Sequence, residues 1–412
     1  MSLHLTVHRG TRQIGGSCVE ITHPEGDRII LDAGRPLDAP DGATGLLPAS
    51  LDRSRPATVL ISHPHQDHWG LVEELPATWP IWTGAGSAKL IAVTGDVTRR
   101  SLSRTFETWN SRTGPFAVGP FTVTPILTDH SAFDAYMLLI EGAGRRVLYT
   151  GDFRRHGRKS ALVDRMTAHP PADIDVLVTE GTNLGSDKPV KGERELEDDF
   201  VELFERTRGR VFIAWSAQNI DRTVTIYRAA RQSGRILAID LYTADVLDRI
   251  AEGTGLPRAG FPNLKVVVTK ALGSSYRSRG REDFVERMIP NGISAKRLEG
   301  GRHVAMLRRG LLRDYQRAGV APTSDDAFNF SMWRGYLSDD YHSEALEWCR
   351  AGGAEIAYIH TSGHASPADL RAFARSLRPK IVVPVHGVRW DEESHGFGIV
   401  RRLADAETMT IP

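Results

Sequence analysis

Residues 58–70 read TVLISHPHQDHWG, and the fold turns on how that stretch is read. Residues 58–61 are apolar and mostly β-branched, the composition of a buried strand. Directly after them His63, His65, Asp67 and His68 fall within six positions. Each carries an atom that binds a transition metal. On an extended strand end, residues i and i+2 point the same way, so His63 and His65 are placed to grip one cation. Asp67 and His68, after a turn, face a second. Imidazole and carboxylate donors suit Zn²⁺ or Mn²⁺. The plainer reading is a polar loop and helix cap rich in histidine; four donors in six residues argue against it.

The same pattern recurs along the chain. Apolar runs at 28–31, 58–61, 121–127, 146–150, 174–179, 355–359 and 380–385 all stop abruptly at polar residues. The stops deliver Asp32, the histidine cluster, His130, Asp152, Glu180, His360 and His386. In layered α/β proteins, ligands gather outside the carboxyl ends of the strands. Seven such ends predict one polar edge on an apolar α/β sandwich. His130 and Asp152, taken singly, read equally well as turn residues. Beside the opening cluster they become ligands, together with His386, and the Asp152 carboxylate is suited to bridge two cations.

Residues 355–387 predict a strand, a helix of about 12 residues (about 18 Å long) and a second strand. That length suits a crossover between parallel strands, which would place His364 and His386 on one sheet edge. Ser366-Pro367-Ala368-Asp369 reads as the helix start. The loop before it, Ser362-Gly363-His364-Ala365-Ser366, offers backbone amides at a helix N-terminus and is a candidate phosphate seat. His364 is then positioned to protonate a leaving alkoxide, with Glu180 setting its tautomer. Asp32 is either a turn aspartate bonded to its own backbone or an acceptor that orients a ligand or the attacking water. His360 reads as a satisfied core histidine, Trp69 as packing and the glycines of 12–18 as a turn. The basic run RRHGRK (154–159) reads as a solvated loop, with backbone-phosphate contact as its functional alternative.

The whole chain sets the limits. At 412 residues it has length for two domains or more. Fifty-two Lys and Arg against 51 Asp and Glu leave a net charge of +1, so any polyanion site is local. Two distant cysteines, Cys18 and Cys349, exclude a disulfide scaffold. The amino terminus has no apolar signal region and no run nears the roughly 18 residues that span a bilayer, which predicts a cytoplasmic protein. The polar stretch 185–205 reads as an exit into another domain. A second α/β pattern follows at 211–216, 221–232, 235–240 and 264–270, then a basic, less periodic stretch at 275–315. The expected organisation is one domain over 1–190 and 355–412, with a second over 191–354 inserted in it.

These residues resemble a known family. HPHQDH resembles the HxHxDH signature of the metallo-β-lactamase fold, and Asp32 in LDAG, His130 in TDHSAFDA and Asp152 in YTGDF resemble its other motifs. Glu180 in TEGT, His364 in SGHAS and His386 in PVHG resemble the three added motifs of the β-CASP nucleic-acid-processing branch, ribonuclease J in particular. The resemblance implies an αββα sandwich with an inserted β-CASP domain and two divalent ions, zinc first and manganese second. It implies that His63, His65 and His130 hold one ion, that Asp67, His68 and His386 hold the other, and that Asp152 is shared. The implied activity is hydrolysis of RNA phosphodiester bonds by metal-activated hydroxide, as a 5′-exonuclease, an endonuclease or both; the histidine at the last motif points to RNA. Asp67, Asp32, Glu180 and His364 are the expected catalytic group. Pro64 stands where the family often has glycine, and Ala132-Phe133 replaces its usual pair; neither removes a ligand. A further C-terminal domain, usual in ribonuclease J, is expected to be lacking. The expected partners are single-stranded RNA and a second copy of the chain, with no membrane. The rival readings are a DNA nuclease or small-ester hydrolase on the same scaffold, and a non-catalytic RNA-binding subunit, which predicts decayed ligands.

Overall fold

The computed structural model describes residues 2–98, 102–338 and 340–412, and the chain divides into two compact units, Met1–Pro189 with Gly363–Pro412, and Val190–Ser362. In the first unit a seven-stranded sheet runs in the order Glu407–Thr410, His4–Arg9, Cys18–Thr22, Arg28–Leu31, Thr58–Ile61, Ile81–Gly84, Glu107–Trp109. A six-stranded sheet runs Ile381–Pro384, Val176–Thr179, Arg145–Tyr149, Tyr136–Gly142, Phe121–Leu127, Phe116–Val118. Alternate side chains on a strand point to opposite faces, and here both faces are apolar. Ile29, Leu31 and Leu60 share one core with Val147, Tyr149, Val176, Val178 and Val383, so the two sheets face each other. Ile30, Val59 and Ile61 pack outward against Trp69 and Ile91, the latter on helix Ala85–Thr98. Leu148, Leu177 and Val382 pack outward against Phe373 and Leu377 of helix Pro367–Leu377. Strands covered on both faces read as unbroken apolar runs, and the result is an αββα sandwich.

Parallel pairing brings the donors together. Arg28–Leu31 lies parallel to Thr58–Ile61, and Val176–Thr179 lies parallel to both Arg145–Tyr149 and Ile381–Pro384. Their carboxyl ends therefore share an edge within each sheet.

One expectation fails. Glu355–Ala357 pairs with Ala327–Phe330 in the second unit, not with Ile381–Pro384, so no crossover joins 355–359 to 380–385. Ile356 is exposed, which a buried parallel strand would not allow. The helix between them does form. It begins at Pro367, with the Ser366 hydroxyl accepting from the Asp369 amide at 3.1 Å.

The second unit holds a seven-stranded sheet in which every pairing is parallel, ordered Gly292–Ile293, Leu264–Val267, Ile236–Asp240, His303–Met306, Val211–Ala214, Ala327–Phe330, Glu355–Ala357. Much of the polar stretch read as an exit is its first helix, Glu193–Arg206, which buries Leu196, Phe200, Leu203 and Phe204 at helical spacing. The basic stretch conceals a central strand, His303–Met306, too short to announce itself by periodicity. His360, near the end of this unit, has its Nδ1 3.5 Å from Arg222, whose buried guanidinium pairs with Glu193 at 3.0 Å. Cys18 and Cys349 are buried free thiols; burial pushes Cys18 up to about 12 and leaves it unreactive. Among the described residues no helix is long and apolar enough to cross a membrane.

Candidate metal centre

The strand Thr58–Ile61 ends in an extended segment that turns into a short helix, Gln66–Trp69. This local geometry separates His63 and His65 from Asp67 and His68. The sheet edges then add the rest. His63, His65, His130 and Asp152 offer ligand atoms within 4.8 Å of one another, and so do Asp67, His68, Asp152 and His386. A third such group is Asp152, Glu180, His364 and His386. Asp152 belongs to all three.

Hydrogen bonds around the rim aim the rings. His68 Nδ1–H donates to Asp32 Oδ2 at 2.7 Å, which leaves Nε2 facing Asp152 Oδ2 at 3.2 Å. Ser62 donates its hydroxyl to Asp32 Oδ2 at 2.8 Å, so it accepts from His63 Nδ1–H at 3.0 Å and frees His63 Nε2. Thr182 Oγ1 sits 3.0 Å from His386 Nδ1, and His386 Nε2 lies 3.2 Å from Asp67 Oδ2. His130 Nε2 is 3.1 Å from His65 Nδ1. Among the described residues, the buried atoms His63 Nε2, His68 Nε2, His130 Nδ1 and both carboxylate oxygens of Asp152 satisfy no hydrogen bond. Orphaned buried polar atoms are costly, and five of them within the two donor groups that share Asp152 fit bound cations. The donor set suits a divalent metal.

The electrostatics agree with that fit except at His68: burial alone would lower it, yet Asp152, Asp32 and Asp67 raise it well above the usual histidine range, so a bound cation takes the place of its proton. Burial, reinforced by neighbouring imidazoles, holds His63 and His130 well below the usual histidine range, and burial holds His65 down at about 4. Burial alone would raise the carboxyls, yet His68 and His386 hold Asp67 at about 2, and His386, His68 and His364 hold Asp152 well below its usual range. Neutral imidazoles and ionised carboxylates are the forms that bind metal.

Asp32 is no simple turn residue. It is fully buried and accepts from the Ser62 amide at 2.7 Å and the Tyr149 hydroxyl at 2.6 Å, as well as from Ser62 Oγ and His68. Its backbone takes φ 63°, a conformation aspartate tolerates. Gly34, two residues on, must be glycine: a Cβ there would lie 1.7 Å from the Asp67 carbonyl. Asp32→Ala frees His68 to rotate, and zinc affinity measured by competition with a chromogenic chelator is expected to fall about 10–100-fold.

Glu180 and His364 meet as expected, Oε2 to Nδ1 at 3.0 Å, while Glu180 Oε1 accepts from the Phe153 amide at 2.9 Å. Gly363 presses against the His130 turn, where a Cβ would lie 2.5 Å from Ser131 Oγ. Two members of the candidate phosphate seat are already committed. The Ala365 amide donates to Phe153 O at 2.6 Å, and the Ser366 hydroxyl caps the helix and donates to Asp369 at 2.6 Å. The amide of Ala365 and the hydroxyl of Ser366 are therefore not open to a phosphate. Nor is RRHGRK uniformly solvated. Arg154 is fully buried with Nε 3.7 Å from Asp129 Oδ1, and its amide donates to Asp129 O at 2.7 Å. Ser62, Tyr149, Thr182 and Asp129, which bond the donors or their turns, escaped the sequence reading. Their only signal is adjacency: each lies within three residues of a donor.

A sandwich with this donor edge defines a metallo-β-lactamase-fold protein, and residues 11–189 match the model of the metallo-beta-lactamase superfamily. Residues 353–395 match the Zn-dependent metallo-hydrolase RNA specificity domain. In both segments the chain is similar to the ribonuclease J-like, β-CASP branch of that superfamily. It is 24% identical to Ribonuclease J of Helicobacter pylori (strain ATCC 700392 / 26695) over 94% of its own length, and spans 56% of that relative. It is 24% identical to Ribonuclease J of Sinorhizobium meliloti over 93% of its length and 69% of the relative's. A crystal structure of a protein of unknown function from Enterococcus faecalis V583 shares the fold, with a TM-score of 0.78 at 18% identity over the whole of both chains.

Proposed function

We propose that the chain is a metal-dependent ribonuclease that hydrolyses phosphodiester bonds of single-stranded RNA in the cytoplasm. The observation that carries this is the pair of donor groups sharing Asp152, with a third group holding His364 against Glu180 beside them. The relatives' printed names support RNA as the substrate class.

His63, His65, His130 and Asp152 would hold one divalent ion, and Asp67, His68, His386 and Asp152 a second, zinc by donor chemistry with manganese the alternative. Such ions, when bound, neutralise charge on the phosphate and lower the pKa of a water toward about 7. The protein's own groups do the rest. Asp32 and Thr182 fix the rings of His68 and His386. Five of the seven donors are buried, while His65 and Asp67 keep partial exposure toward solvent. His364, its Nδ1 tied to Glu180, carries the proton at Nε2 for the departing oxygen. The Gly363 amide, on the loop that leads into the helix from Pro367, would receive a neighbouring phosphate.

End-labelled RNA incubated with wild type and with Asp67→Ala tests the reading. Wild type is expected to cut and the variant to be nearly inactive; equal cleavage by both rejects the mechanism. Substrates with 5′ monophosphate, triphosphate or hydroxyl ends separate the modes, since mononucleotides from the monophosphate alone mean 5′-exonuclease action. A matched DNA oligonucleotide cut as fast as the RNA would favour the DNA reading.

A further inference from the structure

After the strand Ala327–Phe330 the second unit makes a short turn, Arg334–Ser338, that displays large aromatic groups. Trp333 is 60% exposed and Tyr336 47%. Of the eight tryptophans, all among the described residues, Trp333 alone is exposed. Adjacent exposed aromatic groups, unlike single ones, mark a binding surface.

The exposed rings are held in place. A Cβ at Gly335 would lie 2.1 Å from two ring carbons of Trp333, so the indole lies flat across the glycine. Trp333 and Tyr336 meet at 90° with centroids 5.4 Å apart, forming a corner. Tyr336 stacks on His342, whose ring meets the edge of the buried Phe330. The turn is tied down where Tyr358 Oη donates to Met332 O at 2.9 Å and Ser331 Oγ donates to Ile359 O at 2.7 Å. Arg334, between the two in sequence, is exposed, its guanidinium 4.0 Å from the centroid of Tyr358 and, among the described side chains, paired with no carboxylate.

A preorganised ring corner with an exposed arginine in the same turn suits a polyanion that carries planar groups. We propose that Trp333, Tyr336 and Arg334 form a stacking site for unpaired bases of single-stranded RNA, with Arg334 meeting the backbone phosphate. Any base has a π-face, so the site takes RNA without reading its sequence. A protein partner would use the rings but has no general need of the arginine. The proposal rests on the ribonuclease reading for its choice of RNA and names a binding site of that substrate outside the metal centre.

The test uses the full chain in EDTA, where binding is read without turnover. Tryptophan emission is followed while a single-stranded oligouridylate, or a duplex RNA of equal length, is added. The single strand is expected to shield Trp333 from acrylamide quenching; the duplex is not. Trp333→Ala is expected to weaken single-strand binding by roughly 5–100-fold, Trp333→Phe by less, and Arg334→Ala to reduce the salt dependence of binding by about one phosphate contact. Melting curves of each variant establish that it is folded. Unchanged acrylamide access at saturating RNA, or wild-type affinity in both Trp333 variants, overturns the proposal. So does loss of a dimer in sedimentation with RNA affinity intact, which would make the corner a protein contact. Shielding without any cleavage by wild type would sink the ribonuclease reading and leave this one standing; cleavage without shielding would do the reverse.

Discussion

Asp152→Asn is expected to lower RNA cleavage by at least about a thousandfold and to leave the protein with less than one metal equivalent per chain by mass spectrometry of the bound elements. Asp152 is the one residue common to all three donor groups. Its Oδ2 lies 3.2 Å from His68 Nε2 and 3.7 Å from His63 Nε2, and its Oδ1 3.6 Å from His386 Nδ1. Among the described residues neither oxygen satisfies a hydrogen bond. Loss of an outer partner alone typically costs 10–100-fold in affinity or activity, and Asp152 would contribute charge to both ions directly, so the larger loss follows. Asparagine keeps the shape but removes that charge. A ligand that binds only the folded state raises stability by mass action. Added zinc should therefore raise the melting temperature of wild type and not of the variant. Wild-type cleavage with full metal content in Asp152→Asn would remove the shared-ligand assignment.

His364→Ala is expected to reduce kcat by about 10²–10⁴-fold, the range for a lost general acid, with little change in metal content. Glu180→Gln should act through the same ring but differ in its pH profile. Burial alone would lower the His364 pKa; the Glu180 and Asp152 carboxylates outweigh it and raise the imidazole to about 9. The sign follows from the role. A general acid must be protonated, so kcat holds below that value and falls as pH rises through it. Removing the Glu180 charge lowers the pKa, so the alkaline fall of Glu180→Gln begins at lower pH than in wild type. Superimposable profiles for the two proteins would show that His364 is not the proton donor.

The donors were legible because each sits beside a local signal. HPHQDH is a cluster visible in six residues, and Asp32, Asp152, Glu180 and His386 each end an apolar run. The residues that aim them were not. Tyr149 reads as one more apolar strand residue, yet its hydroxyl donates to Asp32, 117 positions earlier in the chain. Thr182 has no pattern of its own; it matters because His386 arrives beside it. The run 355–359 misled because a four- or five-residue apolar segment carries no information about which sheet it joins. His364 and His386 nonetheless come close, with ring centroids 5.7 Å apart, because the loop before Pro367 packs on the His130 turn rather than because two strands are paired.

By itself the sequence determined the chemistry of the donors and the strand ends that carry them, since alternation along a strand and the turn after it depend on near neighbours. Only the tertiary structure decided which donors face one another: Asp67 and His386 stand 319 positions apart and meet through the stacking of one sheet on another. That pairing is set by burial of apolar faces from distant segments, a sum over the whole core that no local stretch contains.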